Sequence, residues 1–392
     1  MSMFKSVAAL FLLAFAAAAQ TDTAQARPNA AALVAAGKYA EAEPLLAKEL
    51  AVAEGVFGSE DPHLVANIEA LAAVQRAQGQ NEKALALYQR GLKIQEKAST
   101  EWSLDLIPRL RALAGVYGAL DKFTEAEMQL LRVLAIRTKV MGPQHLDVAN
   151  DCAELAAFYI VRKRFAVAEP NLRRALSIME HNLSAGDPAL VPVLDDLATA
   201  IIEQKHYPEA EAPLRRAVSI QERTFGPNHA KVAQFVDRLA LLFFDMKQYP
   251  LAEPLYRRSL AIWEASMGPI NPALTTALDN LAVTLAAQLK YTDAAPLYTR
   301  SLALREKATV ENLNNLALVY EGKSDNVTAE RQYTRAISLA EKIPAVPGAG
   351  SVGETELLAK VLGNYATLLR KLKRDAEADK VDARAVALEK GK

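Results

Sequence analysis

The chain has 392 residues, 51% of them apolar and 6% aromatic, with Lys+Arg and Asp+Glu balanced at 46 each. Its apolar share is dominated by Ala and Leu, strong helix formers, and β-branched runs are scarce, which argues against sheets. Zero net charge argues against the basic footprint of a nucleic-acid binder, and a lone cysteine, Cys152, excludes an intramolecular disulfide and speaks against a Cys/His metal site.

The N-terminus reads as a secretory signal peptide over residues 1–26. Lys5 is a short positive region, Val7 to Ala19 is a 13-residue apolar stretch, and Ala24-Gln25-Ala26 is a small-residue cleavage site. Cleavage is expected after Ala26, with Ala19 as second choice and an uncleaved anchor as the alternative. The stretch is short for a membrane span. No cysteine follows it to take a lipid. The alanine-rich pattern is bacterial in style and predicts a periplasmic or secreted mature protein, with no membrane insertion after cleavage.

From residue 27 onwards one period governs the chain. Ala42, Ala84, Ala126, Ala168, Ala210, Ala252 and Ala294 are each 42 residues apart, and Leu71, Leu113, Leu155, Leu197, Leu239 and Leu281 keep the same spacing. Three residues before each alanine stands an aromatic residue, from Tyr39 to Tyr291, except at Asn81. Each unit predicts two helices. In residues 229–268, Val232, Val236, Leu239 and Phe243 form one apolar stripe (helix A). Tyr249, Ala252, Leu255, Ser259 and Trp263 form the next (helix B). Met267-Gly268-Pro269 ends it, because Gly accepts the left-handed conformation and Pro cannot continue a helix. The small alanine fits where two helices cross closely, and the aromatic and leucine columns are expected to fill the wider gaps. One hairpin cannot bury both faces, so hairpins must stack.

The loops repeat as well. Asp61-Pro62, Asp187-Pro188 and Asn271-Pro272 occupy equivalent places, and His145 and His229 stand in the same column. Here an Asx side chain caps the incoming helix while Pro takes its first turn. The histidines therefore read as loop and cap residues rather than metal ligands. Five prolines, Pro44, Pro170, Pro213, Pro254 and Pro296, fall early in helix B, where the sequence does not decide between a tolerated first turn and a bend. The period then shortens to 35 residues at Leu316 and Ala329, predicting a trimmed loop. A Pro/Gly-rich flexible loop is expected over 343–353. A last hairpin and cap follows at 354–392, giving about nine hairpins in all.

At Leu278-Asp-Asn-Leu-Ala, Leu313-Asn-Asn-Leu-Ala-Leu-Val-Tyr, Phe225-Gly-Pro-Asn-His and Lys290-Tyr-Thr-Asp-Ala-Ala-Pro-Leu-Tyr, the chain resembles the tetratricopeptide repeats of kinesin light chains. The resemblance covers residues 38–342 and, more loosely, 354–390. It implies an all-α, right-handed superhelical solenoid whose concave face, lined by helix A, grips a peptide or a partner domain. It does not imply a motor-associated role, which a signal peptide excludes.

Placed on that fold, the residues one and two before the leucine column face the groove. The candidate partner-binding residues are Asp195, Asp196, Asp237, Arg238, Asp279, Asn280, Asn314, Asn315 and Asn364. The middle of the row is acidic and its end is amide-rich. The expected ligand is a basic or amide-rich peptide held by charge-assisted hydrogen bonds, against the alternative that these side chains are a solvated face or bridge adjacent units. No catalytic residue, cofactor or metal site is expected: no G-x-S-x-G elbow, H-E-x-x-H helix or Walker loop is present, and Cys152 lies within an apolar stripe. The leading reading is an exported protein-interaction scaffold. A permanent accessory subunit of an envelope or secretion complex is the alternative, and an enzyme the least supported.

Overall fold

The computed structural model describes residues 29–343 and 352–390. The expected signal peptide, its cleavage site and residues 344–351 of the expected loop lie outside the described residues. Within them every regular element is helical. The chain divides into two compact units, one ending at Ala185 and the other beginning at Gly186.

The first unit holds four hairpins. They are α1 (residues 29–35) with α2 (Tyr39–Phe57), α3 (Val65–Ala77) with α4 (Asn81–Ala98), α5 (Ile107–Ala119) with α6 (Phe123–Met141), and α7 (Leu146–Val161) with α8 (Phe165–Asn182). The second unit continues with α9 (Leu190–Glu203) and α10 (Tyr207–Phe225), α11 (Ala230–Asp245) and α12 (Tyr249–Met267), then α13 (Thr275–Ala287), α14 (Tyr291–Gly322), α15 (Asn326–Ala340), α16 (Val352–Lys371) and α17 (Asp375–Lys390).

The column alanines of the first seven hairpins are at most 2% exposed, and the leucine column from Leu71 to Leu281 at most 6%. Small side chains sit at the A–B crossing and leucines pack beside them, as the period predicts. The aromatic column behaves otherwise. These residues open helix B at its first position, and Phe123 and Tyr291 are exposed while Tyr39, Phe165, Tyr207 and Tyr249 are half-buried. They lie over the A–B turn rather than filling the core: the Arg162 guanidinium sits 4.0 Å from the Phe123 ring, and Tyr249 packs on Phe244 at 5.2 Å.

The loop column acts as a series of N-caps. Backbone N–H groups donate to Asp61 Oδ1 (2.9 Å), Ser103 Oγ (3.3 Å), His145 Nδ1 (3.1 Å), Asp187 Oδ1 (2.9 Å), His229 Nδ1 (3.2 Å) and Asn271 Oδ1 (2.9 Å). In the two histidines Nδ1 accepts, so the ring proton of the neutral form sits on Nε2. The prolines are also placed: Pro44, Pro170, Pro254 and Pro296 are the sixth residues of their helices and Pro213 the seventh. Each therefore stands past the free first turn and removes one helical hydrogen bond.

The A–B turn holds one residue in the left-handed region in hairpin after hairpin: Gly37, Gly79, Asp121, Lys163, Lys205, Lys247, Leu289 and Ser324, with φ between 57° and 76°. Only two are glycines. Leu289 has φ of 61° and a largely exposed side chain, so it carries the steric penalty of that conformation without compensating burial. Leu289→Gly is expected to stabilise the second unit by about 0.5–1 kcal/mol in urea denaturation. A loss of stability would show that the leucine is buried elsewhere.

Two expectations change near the C-terminus. The trimmed loop is no loop: helix B of the seventh hairpin and helix A of the eighth are one continuous helix, α14, of 32 residues. Seventeen helices among the described residues thus make nine hairpins, because α14 serves two. The reason is local. Four of the six earlier B helices stop at a glycine with φ of 83–90°, at Gly58, Gly142, Gly226 and Gly268, and the other two stop at an extended Ser99 or Leu183; a cap residue then restarts the chain. The seven-residue shortening deletes both signals, leaving Arg305-Glu-Lys-Ala-Thr309, in which nothing ends a helix. The last two positions of the expected 343–353 loop are helical, since α16 starts at Val352.

Candidate partner-binding face

Helix A of each hairpin carries the candidate residues, and the structure separates them by column. Those two before the leucine are tied into the fold. Glu69 pairs with Arg109 (2.9 Å), and Arg111 with both Asp151 and Glu154 (2.6 Å each). Asp195 pairs with Arg238 (2.5 Å). Asp237 accepts from Ser259 Oγ and from Trp263 Nε1 (2.8 Å). Asp279 pairs with Arg305, and Asn314 Oδ1 accepts from Asn364 Nδ2 (2.9 Å). These side chains join neighbouring helices, so for Asp195, Asp237, Asp279 and Asn314 the bridging alternative describes the contacts found.

The column one before the leucine is different. Arg238 reaches back to Asp195 and donates to Thr199 Oγ1 (2.7 Å), and Asn364 reaches back to Asn314. Asp196 and Asn280, half-buried, and Asn315, exposed, make no side-chain hydrogen bond or ion pair among the described residues, although the Arg238 charge acts on Asp196. Asn280 stands on α13 in line with Asp196 on α9. Asn315 stands on the second half of α14, which does not double back beside α13, so the expected amide-rich end does not continue the row.

Burial shapes the electrostatics here. It pushes the Asp195 carboxyl up against the opposing pull of Arg238, and the Asp237 carboxyl up against its bonds from Ser259 and Trp263. Asp196 is raised first by burial and then by its neighbour Asp195, with Arg238 opposing. Cys152 is fully buried, and burial raises its thiol, as suits a core residue.

In the first unit the same face opens as an apolar trough. A cavity of about 710 Å³ lies between α1, α2 and α3, walled by Ala30, Val34, Leu46, Ala66, Ala70, Ala73 and Ala77, with Asn67 and Glu49 among the polar lining. Ala70 belongs to the same column as Asp196 and Asn280.

Two further columns, not singled out in the sequence, hold the hairpins in register. The residue after the column alanine is Glu in several hairpins and accepts from the next one. Glu43 takes Gln75 (3.1 Å), Gln78 (2.9 Å) and Gln80 (3.2 Å); Glu127 takes Tyr159 (2.7 Å) and Arg164 (2.8 Å); Glu253 takes Gln288 (2.9 Å) and Lys290 (2.7 Å). On successive B helices, Glu54–Arg90 (2.5 Å), Glu96–Arg132 (2.5 Å), Glu222–Arg258 (2.6 Å) and Glu264–Arg300 repeat 36 residues apart. Both columns were present as 42-residue repeats of Glu.

Glu253 shows how much such a clamp is felt. Bonds from Lys290, then Arg257 and Gln288, hold its carboxyl down at about 2 against an ordinary 4.5. A depressed value stabilises the fold in full above the ordinary carboxylate range and is lost as pH falls toward 2. Glu253→Gln is expected to cost about 1 kcal/mol at pH 7 and to converge on the parent in thermal melts as pH falls from 5 to 2. A pH-independent difference would mean that the charge is not what the clamp uses.

Among the described residues no helix is long and apolar enough to cross a membrane. A comparison with curated proteins finds no match. Solved structures to which the chain is similar include one of kinesin-light-chain-type, nearly identical TPR-like repeats from Podosopora anserina (24% identity, 53% of this chain and 99% of that one, TM-score 0.46). Others are BtubC (BKLC) from P. vanneervenii (25%, 54% and 91%, TM-score 0.44) and aspartyl phosphate phosphatase F from Bacillus subtilis (15%, 94% of each chain, TM-score 0.46). Two family profiles, both described as Tetratricopeptide repeat, match the sequence, one over residues 20–97, 107–180 and 233–307 and the other over 193–231. The first alone spans more than half of the sequence, and the chain belongs to the tetratricopeptide repeat family.

Proposed function

We propose that this chain is an exported interaction scaffold that holds an extended, cationic segment of a partner protein along α9, α11 and α13. The observation that carries the reading is the open column: Asp196 and Asn280 remain unpaired while the residues beside them are consumed by the fold. Asp196 offers a carboxylate that burial and Asp195 make costly to ionise alone. A lysine or arginine of the partner relieves that cost. Asn280 offers a donor and an acceptor, which match one backbone amide of an extended segment. Export rests on the Val7–Ala19 stretch and the Ala24-Gln25-Ala26 site and places the scaffold in the periplasm or outside the cell.

A second reading, a permanent accessory subunit, is favoured by the alanine-walled trough at α1 and α3, which suits an apolar partner element. The deciding experiment is affinity capture with the chain from residue 27 onwards, run beside the Asp196→Ala/Asn280→Ala variant and an Ala70→Gln variant. Loss of the captured protein in the double variant supports the acidic row. Capture that survives it but fails in Ala70→Gln transfers the site to the trough.

A further inference from the structure

The 42-residue columns show which residues should be covered, and on α14 several are not. The position of Tyr298 is at most 8% exposed in the six preceding hairpins, yet Tyr298 is 41% exposed. Leu302 is 53% exposed, where Leu50, Leu92, Leu134, Val218 and Leu260 are 6–9%. Leu316 is 41% exposed in a column otherwise at most 6%, and Val319 is 53% exposed where Val74, Val116, Leu242 and Thr284 are at most 2%. In the first hairpins these same positions meet: Leu46 and Leu50 share one apolar cluster with Leu71 and Val74. They are the two halves of the contact between helix B and the following antiparallel helix A. On α14 both halves lie on one continuous helix, with Tyr298 and Leu316 about 27 Å apart along the axis. They cannot meet within the chain.

We infer that a second copy of this chain completes the contact, with the two α14 helices packed antiparallel about a two-fold axis near residue 309. The exposed positions fall on a single stripe with alternating steps of four and three: Tyr298, Leu302, Arg305, Thr309, Asn312, Leu316 and Val319. That is the spacing of a helix–helix seam. Antiparallel pairing about residue 309 places Tyr298 and Leu302 of one copy on Val319 and Leu316 of the other, and the reverse at the far end. The contact is self-complementary, as a two-fold interface must be. At the centre Thr309 meets its own copy and Arg305 faces Asn312, so the polar residues of the stripe oppose one another rather than leucines. The seam continues the interface that the earlier hairpins make between B and A helices, supplied across two chains instead of one. The stripe from Tyr298 to Val319 is about 32 Å long. At about 10 Å width it covers roughly 600–700 Å² over both copies. That is below the size of a permanent interface and points to weak, concentration-dependent association.

Sedimentation equilibrium of the full chain at about 1–100 µM tests this, together with disulfide trapping in a Cys152→Ala background. A concentration-dependent dimer is expected, reduced to monomer by Leu302→Asp with an unchanged far-UV spectrum and, at dilutions where both chains are monomeric, an unchanged thermal midpoint, since that side chain is exposed in the single copy. Chains carrying Leu302→Cys and chains carrying Leu316→Cys, mixed and oxidised, should form a mixed covalent dimer. Three results would overturn the inference: a monomer throughout, a dimer that survives Leu302→Asp, or a doubly substituted chain that forms only an internal disulfide. The last would mean that α14 breaks and closes on itself. These readouts do not involve Asp196 or Asn280, so they stand or fall separately from the peptide-binding reading.

Discussion

Phe243→Ala is expected to destabilise the second unit by about 3–5 kcal/mol in urea denaturation. Phe243 is 2% exposed on α11, and α11 has a hairpin on each side of it within the unit. Removing the ring leaves a cavity that rigid neighbouring helices fill only in part. In a stacked array the stability of a repeat includes its interfaces with both neighbours, so an interior position loses on two sides. Leu369→Ala, equally buried on α16 in the last hairpin of the described residues, is the comparison, with an expected loss of about 2–3 kcal/mol for the smaller side chain. A loss below about 1 kcal/mol for Phe243→Ala would mean that the helices collapse into the space and that α11 is not held rigidly between its neighbours.

Arg111→Met is expected to cost the first unit about 2–4 kcal/mol at neutral pH. Asp151 is 3% exposed and accepts from Arg111 at 2.6 Å, with Arg137 further off at 3.5 Å. Burial already pushes the Asp151 carboxyl up, opposed by Arg137 and Arg111. Without Arg111 a buried carboxylate keeps only its longer partner, and its value rises further. A raised carboxyl favours the fold below its ordinary range and loses that advantage as pH rises through its folded value. The deficit of the variant is therefore largest at pH 7 and shrinks as pH falls toward 4. Arg111→Met/Asp151→Asn should regain most of the loss at pH 7. If the double variant is no better than the single one, packing of the arginine stem rather than charge accounts for the effect.

The hairpins were legible because packing leaves few choices at a helix crossing: only alanine fits at Ala126 or Ala210, and leucine beside it. The caps were partly legible, since Asp61, Asp187 and Asn271 announce themselves, whereas Ser103 shows its role only once its hydroxyl is seen accepting from Asp105. The left-handed turn was not, because Lys163, Lys205, Lys247 and Leu289 are residues that no local preference assigns to that conformation. The continuity of α14 followed from a deletion whose consequence, loss of both the stop and the cap, is plain only beside the loops that keep them. The candidate row was half legible. Periodicity placed Asp195 and Asp196 on the same face, but it could not tell that Arg238, 42 residues on from Asp196, folds back onto Asp195 and leaves Asp196 open.

Hydrogen exchange of the full chain with and without its captured partner bears most directly on the scaffold reading. The account predicts slowed exchange in peptides from α9, α11 and α13, centred on Asp196 and Asn280, with α10 and α12 unchanged. Protection confined to the B helices, or none anywhere on the A helices, would contradict it.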